Sequence, residues 1–252
     1  MYPDVVELRE FYEGELGLAA RRLIRERVRG LWPNVAGMRV LGLGYTPPYL
    51  RSFLEEAERV FACMPAPQGV TWWPREGPNR TCLCEETALP LGDQAVDRVL
   101  LIHSLENTQH IGGLLQEAWR VLAAGGRMIV VVPNRSGGWA RAANAPFSSG
   151  FSFSVPQLKR LMTHNRFQVE RTARALFAPP FAARFFASST DWIEKQGERF
   201  LPALAGVLIM EVSKQIYARP QGEKVREARH VLLPLPELVG APPTPSATRA
   251  RL

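Results

Sequence analysis

Short apolar runs alternate with segments of helical periodicity between residues 38 and 132. Met38–Leu43 (MRVLGL), Val60–Met64, Thr81–Cys84, Ala95–Ile102 (AVDRVLLI) and Arg127–Val132 (RMIVVV) are strand-sized. Residues 49–57 and 111–122 have helical spacing, the second placing Leu114, Leu115, Ala118, Val121 and Leu122 on one face. Gly125-Gly126 is expected to end that helix. This alternation predicts βαβ units with right-handed crossovers. The chain should therefore be α/β, a doubly wound sheet with helices on both faces. The unbroken β-branched run at 129–132 predicts a strand buried on both sides.

The flanks read differently. Residues 4–30 have the periodicity of one helix with Asp4 as N-cap, a flank on the sheet edge. After Pro133, residues 134–153 are rich in Gly, Ser and Ala and predict a loop. A helix capped by Ser154 follows over 155–163, then a strand over 167–176, a mostly helical stretch over 182–200 and a last strand over 206–217. Residues 219–252 are proline-rich, carry several Arg and lack periodicity, so they predict a disordered tail. The expected organisation is a helical flank (1–34), one α/β domain (35–218) and a basic tail (219–252).

Of 252 residues, 46% are hydrophobic and 22% charged, which excludes a fibrous or wholly disordered chain. No apolar run approaches the roughly 20 residues a bilayer requires, and the acidic start MYPDVVELRE lacks the apolar core of a signal peptide. A cytoplasmic protein with no membrane partner is expected. Cys63, Cys82 and Cys84 make neither a disulfide framework nor a ligand set with metal spacing. The net charge of +7 is uneven, since residues 135–252 carry 17 Lys and Arg against eight Asp and Glu. That half could meet an anionic or protein partner, or simply be a soluble arginine-rich surface.

A strand, a glycine turn and a helix in succession build a crevice for a nucleotide-like ligand. Here that segment is Val40-Leu41-Gly42-Leu43-Gly44-Tyr45-Thr46-Pro47-Pro48. Downstream come Glu85, Leu89-Pro90-Leu91, Val96-Asp97-Arg98-Val99, Leu105-Glu106-Asn107 and Glu117-Ala118-Trp119-Arg120-Val121-Leu122-Ala123-Ala124-Gly125-Gly126. In order and spacing these residues resemble the class I S-adenosylmethionine-dependent methyltransferases of the "type 11" group. The resemblance covers about 100 residues, roughly 38–140. It implies a Rossmann-like, mostly parallel sheet ending in an antiparallel hairpin, S-adenosylmethionine as cofactor, and methyl transfer to an unidentified acceptor. It places cofactor contacts at Gly42, Gly44, Tyr45, Thr46, Met64, Glu85 and His103.

The loop departs from the family pattern. Gly42 stands where the family has an acid, and Thr46 and Pro48 replace two loop glycines. Proline offers no N–H, so fewer backbone donors face a carboxylate. The second strand, ending Phe61-Ala62-Cys63-Met64, has no acid for the ribose hydroxyls. Losing such a charge-assisted contact costs about 1.5–3 kcal/mol, one to two decades in affinity. His103 reads as a general base or as a polar lining residue, Glu106 as a helix-start carboxylate, and Trp72, Trp73 and Trp139 as packing residues. Two readings follow: an active methyltransferase, or an inactive binding or scaffold module. A nicotinamide oxidoreductase is disfavoured, because Pro47 occupies the last glycine position of that fingerprint.

Overall fold

The computed structural model describes residues 2–142, 145–180, 194, 196–197 and 199–215. The residues expected to form the tail lie outside this set, as do most of those expected to be helical over 182–200.

The expected single N-terminal helix is two, α1 (Val5–Glu13) and α2 (Glu15–Leu31). Asp4 caps α1, its carboxylate accepting from Val6 N at 2.7 Å. Gly14 separates the helices with extended backbone, and its N–H bonds back to the carbonyls of Glu10 and Phe11. A Cβ on Gly17 would lie 1.9 Å from the Phe11 carbonyl oxygen. Glycine therefore lets the start of α2 turn tightly against the end of α1, which periodicity alone does not reveal. α2 buries Leu23, Ile24, Val28 and Leu31, each worth about 2 kcal/mol of transfer free energy.

The strands are β1 (Arg39–Gly44), β2 (Arg59–Pro65), β3 (Thr81–Cys84), β4 (Val96–Ile102), β5 (Leu122–Pro133), β6 (Phe167–Ala175) and β7 (Val207–Lys214). They form one sheet in the order β3-β2-β1-β4-β5-β7-β6. β1 to β5 pair in parallel, whereas β7 runs antiparallel to β5 and β6. This is the doubly wound sheet and terminal hairpin expected. Ile129–Val132 is buried throughout, as its composition required. One apolar core packs α1, α2 and the short helix α3 (Pro47–Leu50) on one face. The other packs α4 (Ile111–Val121) and α5 (Val155–His164) on the opposite face.

Two boundaries differ from expectation. The helix expected over 49–57 is only α3 followed by one 3₁₀ turn, with Pro47 and Pro48 at its start. α4 ends at Val121, and Gly125, at φ +69°, lies within β5 and does not cap the helix. Ser154 caps α5 as expected, in a reciprocal box with Gln157.

The strand order reverses between β1 and β4, where open α/β sheets place a crevice. Gly44 is in register with Ile102, and Pro65 with Cys84. The carboxyl ends of the central strands are thus level.

Candidate cofactor crevice

Gly44 ends β1 at φ +87°, and a Cβ there would lie 2.3 Å from the Ile102 carbonyl oxygen. Only glycine accommodates both the left-handed backbone and the close approach of β4. Gly42 is similarly hemmed in, since a Cβ would fall 1.9 Å from Thr46 Oγ1. The Thr46 side chain therefore occupies the space above Gly42.

His103 follows β4 with a positive φ of 55° and is fully buried. Its Nε2 lies 2.7 Å from the Tyr12 hydroxyl, which accepts the Tyr49 O–H at 2.8 Å. Because the Tyr12 oxygen already accepts from Tyr49, its own proton points to Nε2. The imidazole is then the Nδ1–H tautomer. Nδ1 faces Glu106 Oε1 at 3.4 Å. Burial raises the Tyr12 and Tyr49 phenols well above their ordinary range. Tyr45 stacks on Tyr12, with ring centroids 5.7 Å apart, and burial pushes its phenol up to about 12. Phe147 packs on the other side of His103 at 4.8 Å between ring centroids. Glu106 is not the helix-start carboxylate expected from the sequence. It lies in the turn after β4, four residues before the N-cap of α4, and is 1% exposed. Phe151 N–H donates to its carbonyl at 2.7 Å, closing the 145–151 segment over it.

Beside this packed cluster is a hollow of about 360 Å³, lined by Tyr2, Pro65, Cys84, Glu85, Glu86 and Asn107 among others. It sits over the ends of β2 and β3, within the range for small-molecule sites. Glu85 is an exposed rim residue, and Thr87 donates to it at 3.1 Å. The adjacent Glu86 is buried and accepts hydroxyl protons from Tyr2 and Thr108. Burial, then the Glu86 carboxylate, raises the Tyr2 phenol.

The structure thus brings Gly42, Gly44, Tyr45, Thr46 and His103 together at the β1–β4 switch point. Glu85 belongs to the neighbouring hollow, and Met64 lies in the core beneath, fully buried. Sequence reading missed Tyr12, Glu86 and Gln68, whose amide donates to the His103 carbonyl at 3.1 Å. Tyr12 reads in sequence as one more apolar-face residue of a helix. Glu86 differs from Glu85 only by the turn that follows β3.

One further property distinguishes this edge. Among the described residues, Thr46 Oγ1, Gln68 Oε1, Ser104 Oγ and Glu106 Oε2 are buried without a hydrogen-bond partner. Buried polar atoms are normally satisfied, so their concentration beside a hollow marks a place where a polar ligand or water completes the bonding.

Residues 41–130 match the family profile described as "Methyltransferase domain". The fold resembles an S-adenosylmethionine-dependent methyltransferase of Thermotoga maritima, at TM-score 0.59 and 17% identity over 84% of this chain and 96% of that one. It also resembles the 1,6-didemethyltoxoflavin-N1-methyltransferase of Burkholderia thailandensis, solved with S-adenosylhomocysteine, at TM-score 0.52 and 19% identity over 81% and 79%. The segment 41–130 is thus similar to a methyltransferase domain, and the chain has the fold of the class I S-adenosylmethionine-dependent methyltransferases. In sequence it is 26% identical over 159 residues to a demethylmenaquinone methyltransferase of Tropheryma whipplei. That alignment takes in 63% of this chain and 52% of the relative, so the chain spans about half the length of the curated relatives it matches.

The family's cofactor can be tested against these residues. The hollow over β2 and β3 has room and a mixed apolar and acidic lining for an adenosyl group. Behind Asn107 of that lining, the buried Glu106 carboxyl meets His103 Nδ1 through Oε1 at 3.4 Å and keeps Oε2 without a hydrogen-bond partner. The Gly42–Pro48 turn suits the cofactor least, because the Thr46 side chain fills the space beside Gly42.

Proposed function

We propose that the chain carries out S-adenosylmethionine-dependent methyl transfer, with the adenosyl group seated in the 360 Å³ hollow. The observation that carries this reading is the pairing of that hollow with unpartnered buried polar atoms at the β1–β4 switch point. When bound, S-adenosylmethionine supplies an activated methyl on a positive sulfonium. Transfer then depends mainly on holding donor and acceptor in line, so the chain's own task is positional and electrostatic. Pro65 and Cys84 offer apolar walls, Glu85 and Asn107 rim polarity, and Glu106 a buried carboxyl next to Asn107 in sequence. His103 is a positioning residue, because its Nε2 is committed to Tyr12 and its Nδ1 faces Glu106.

Calorimetry with S-adenosylhomocysteine tests cofactor binding. Micromolar to submillimolar affinity is expected, and it should fall at least tenfold in Glu106→Gln, which keeps the side-chain size and removes the charge. No heat at millimolar ligand would overturn the reading. Transfer of labelled methyl from S-adenosylmethionine to demethylmenaquinone, the compound named for the curated relative, is the first acceptor assay to run.

A second reading has its own support. The filled Gly42–Thr46 space and the Tyr12–Tyr45 stack favour a binding module that retains the fold without catalysis. Binding of S-adenosylhomocysteine without methyl transfer to any acceptor pool would favour it.

A further inference from the structure

A second cavity, of about 620 Å³, opens on the outer side of the β1 turn. Its walls come from α1, α2, the Tyr45–Arg51 segment and the connection between β2 and β3. Five arginines line it: Arg9, Arg21, Arg25, Arg51 and Arg75. Glu13 is its sole acidic lining residue, and it is already ion-paired with Arg75. Among the described residues, no carboxylate pairs with Arg9, Arg21, Arg25 or Arg51. Arg21 and Arg25 are one turn apart on α2, so like charges stand side by side without compensation. Trp72 also lines the cavity and is 63% exposed, whereas Trp73 beside it is buried.

We propose that this cavity binds a phosphorylated small molecule bearing a flat heterocyclic ring, of the nucleotide class. Four guanidinium groups without carboxylate partners around one concavity concentrate positive charge in a way that suits a polyanion. The guanidinium fork matches phosphate oxygens two at a time. Trp72 supplies a plane on which a base can stack, worth about 1–3 kcal/mol in comparable contacts. The volume lies within the small-molecule range. A single exposed indole is too short a platform for successive bases of a polynucleotide. The charge does not derive from the basic C-terminal half, since every arginine involved lies in residues 9–75.

This inference is independent of methyl transfer, and the test keeps the two apart. Uridine diphosphate, inorganic pyrophosphate and uridine are titrated into the full chain by calorimetry at low salt, with and without saturating S-adenosylhomocysteine. Uridine diphosphate should bind more tightly than pyrophosphate, with uridine undetectable, and S-adenosylhomocysteine should not displace it. Arg21→Ala with Arg25→Ala should weaken uridine diphosphate at least tenfold. Trp72→Ala should lower it towards the pyrophosphate level and leave pyrophosphate unchanged. Glu13→Gln, which releases Arg75, should strengthen binding, a gain that misfolding does not produce. The proposal is overturned by displacement with S-adenosylhomocysteine, by equal binding of uridine, by indifference to the Arg21/Arg25 and Glu13 changes, or by binding of an oligouridylate alone.

Discussion

Arginines at the amino-terminal edge of the sheet and arginines around the β1 turn live under opposite rules. Near the amino-terminal edge Arg39, Arg127 and Arg171 each have an acid, although Arg98 donates only to the Asp97 carbonyl. Arg39, at the start of β1, binds Asp97 of β4 through Nε at 3.0 Å and Nη2 at 3.1 Å. Arg127 and Arg171 converge on the fully buried Glu211, which also accepts from the Trp32 indole at 3.1 Å. Around the outer cavity, Arg9, Arg21, Arg25 and Arg51 line one hollow, and among the described residues none has such a partner. The same residue type thus closes the structure at one edge and leaves it charged and open near the other. Composition, which records only an excess of cations, does not distinguish the two.

The largest effect should come from stripping the paired edge. Burial pushes the Glu211 carboxyl up, but Arg171 and Arg127 outweigh it and hold the group below its ordinary range. Arg127→Ala with Arg171→Ala should leave Glu211 buried without an ion pair, held by the Trp32 indole N–H, at about 3–5 kcal/mol in urea melts. A loss below 1 kcal/mol would show that solvent reaches Glu211 and would erase half of the contrast.

A smaller effect is expected at Arg39→Ala, about 1 kcal/mol, because that pair is partly solvated. It should also depend on pH. The Arg39 guanidinium holds the Asp97 carboxyl below its usual value. For a carboxyl lowered in this way, the stabilising contribution is present above the unfolded value, near 4. It is lost as pH falls through the folded value. The melting difference between wild type and Arg39→Ala should therefore shrink below pH 4 and stay constant from 5 to 7.

The smallest effect sharpens the contrast most. Arg21→Ala with Arg25→Ala should leave stability within about 0.5 kcal/mol of wild type or slightly above it, since the change removes repulsion and breaks no ion pair. Added salt should stabilise the wild type more than this variant. A loss above 2 kcal/mol would mean that these arginines are structural.

How much of this was legible beforehand follows from what each signal encodes. The buried strand at Ile129–Val132 and the caps at Asp4 and Ser154 are local, so residue type and spacing reveal them. Gly14 is invisible to periodicity, because a glycine inside a helical pattern is commonly tolerated, and here it becomes a break only through the close packing that Gly17 permits. Within the crevice, Gly44 was readable from the strand–turn pattern. The Tyr49–Tyr12–His103–Glu106 chain was not, because it joins residues 37 and 91 positions apart. The outer cavity was hidden likewise. Arg21 and Arg25 read as the wet face of a helix, and nothing local says that Arg51 and Arg75 fold onto the same hollow.

The contact between Gly42 and Thr46 has a consequence for anyone repairing the loop. Residue 42 cannot regain the acid that the family carries there while position 46 keeps its side chain, because both claim one volume. Two deviations that look independent along the chain are a single coupled exchange in space. Reversion must be made in tandem, Gly42→Asp together with Thr46→Gly, and either half alone should behave worse than the pair.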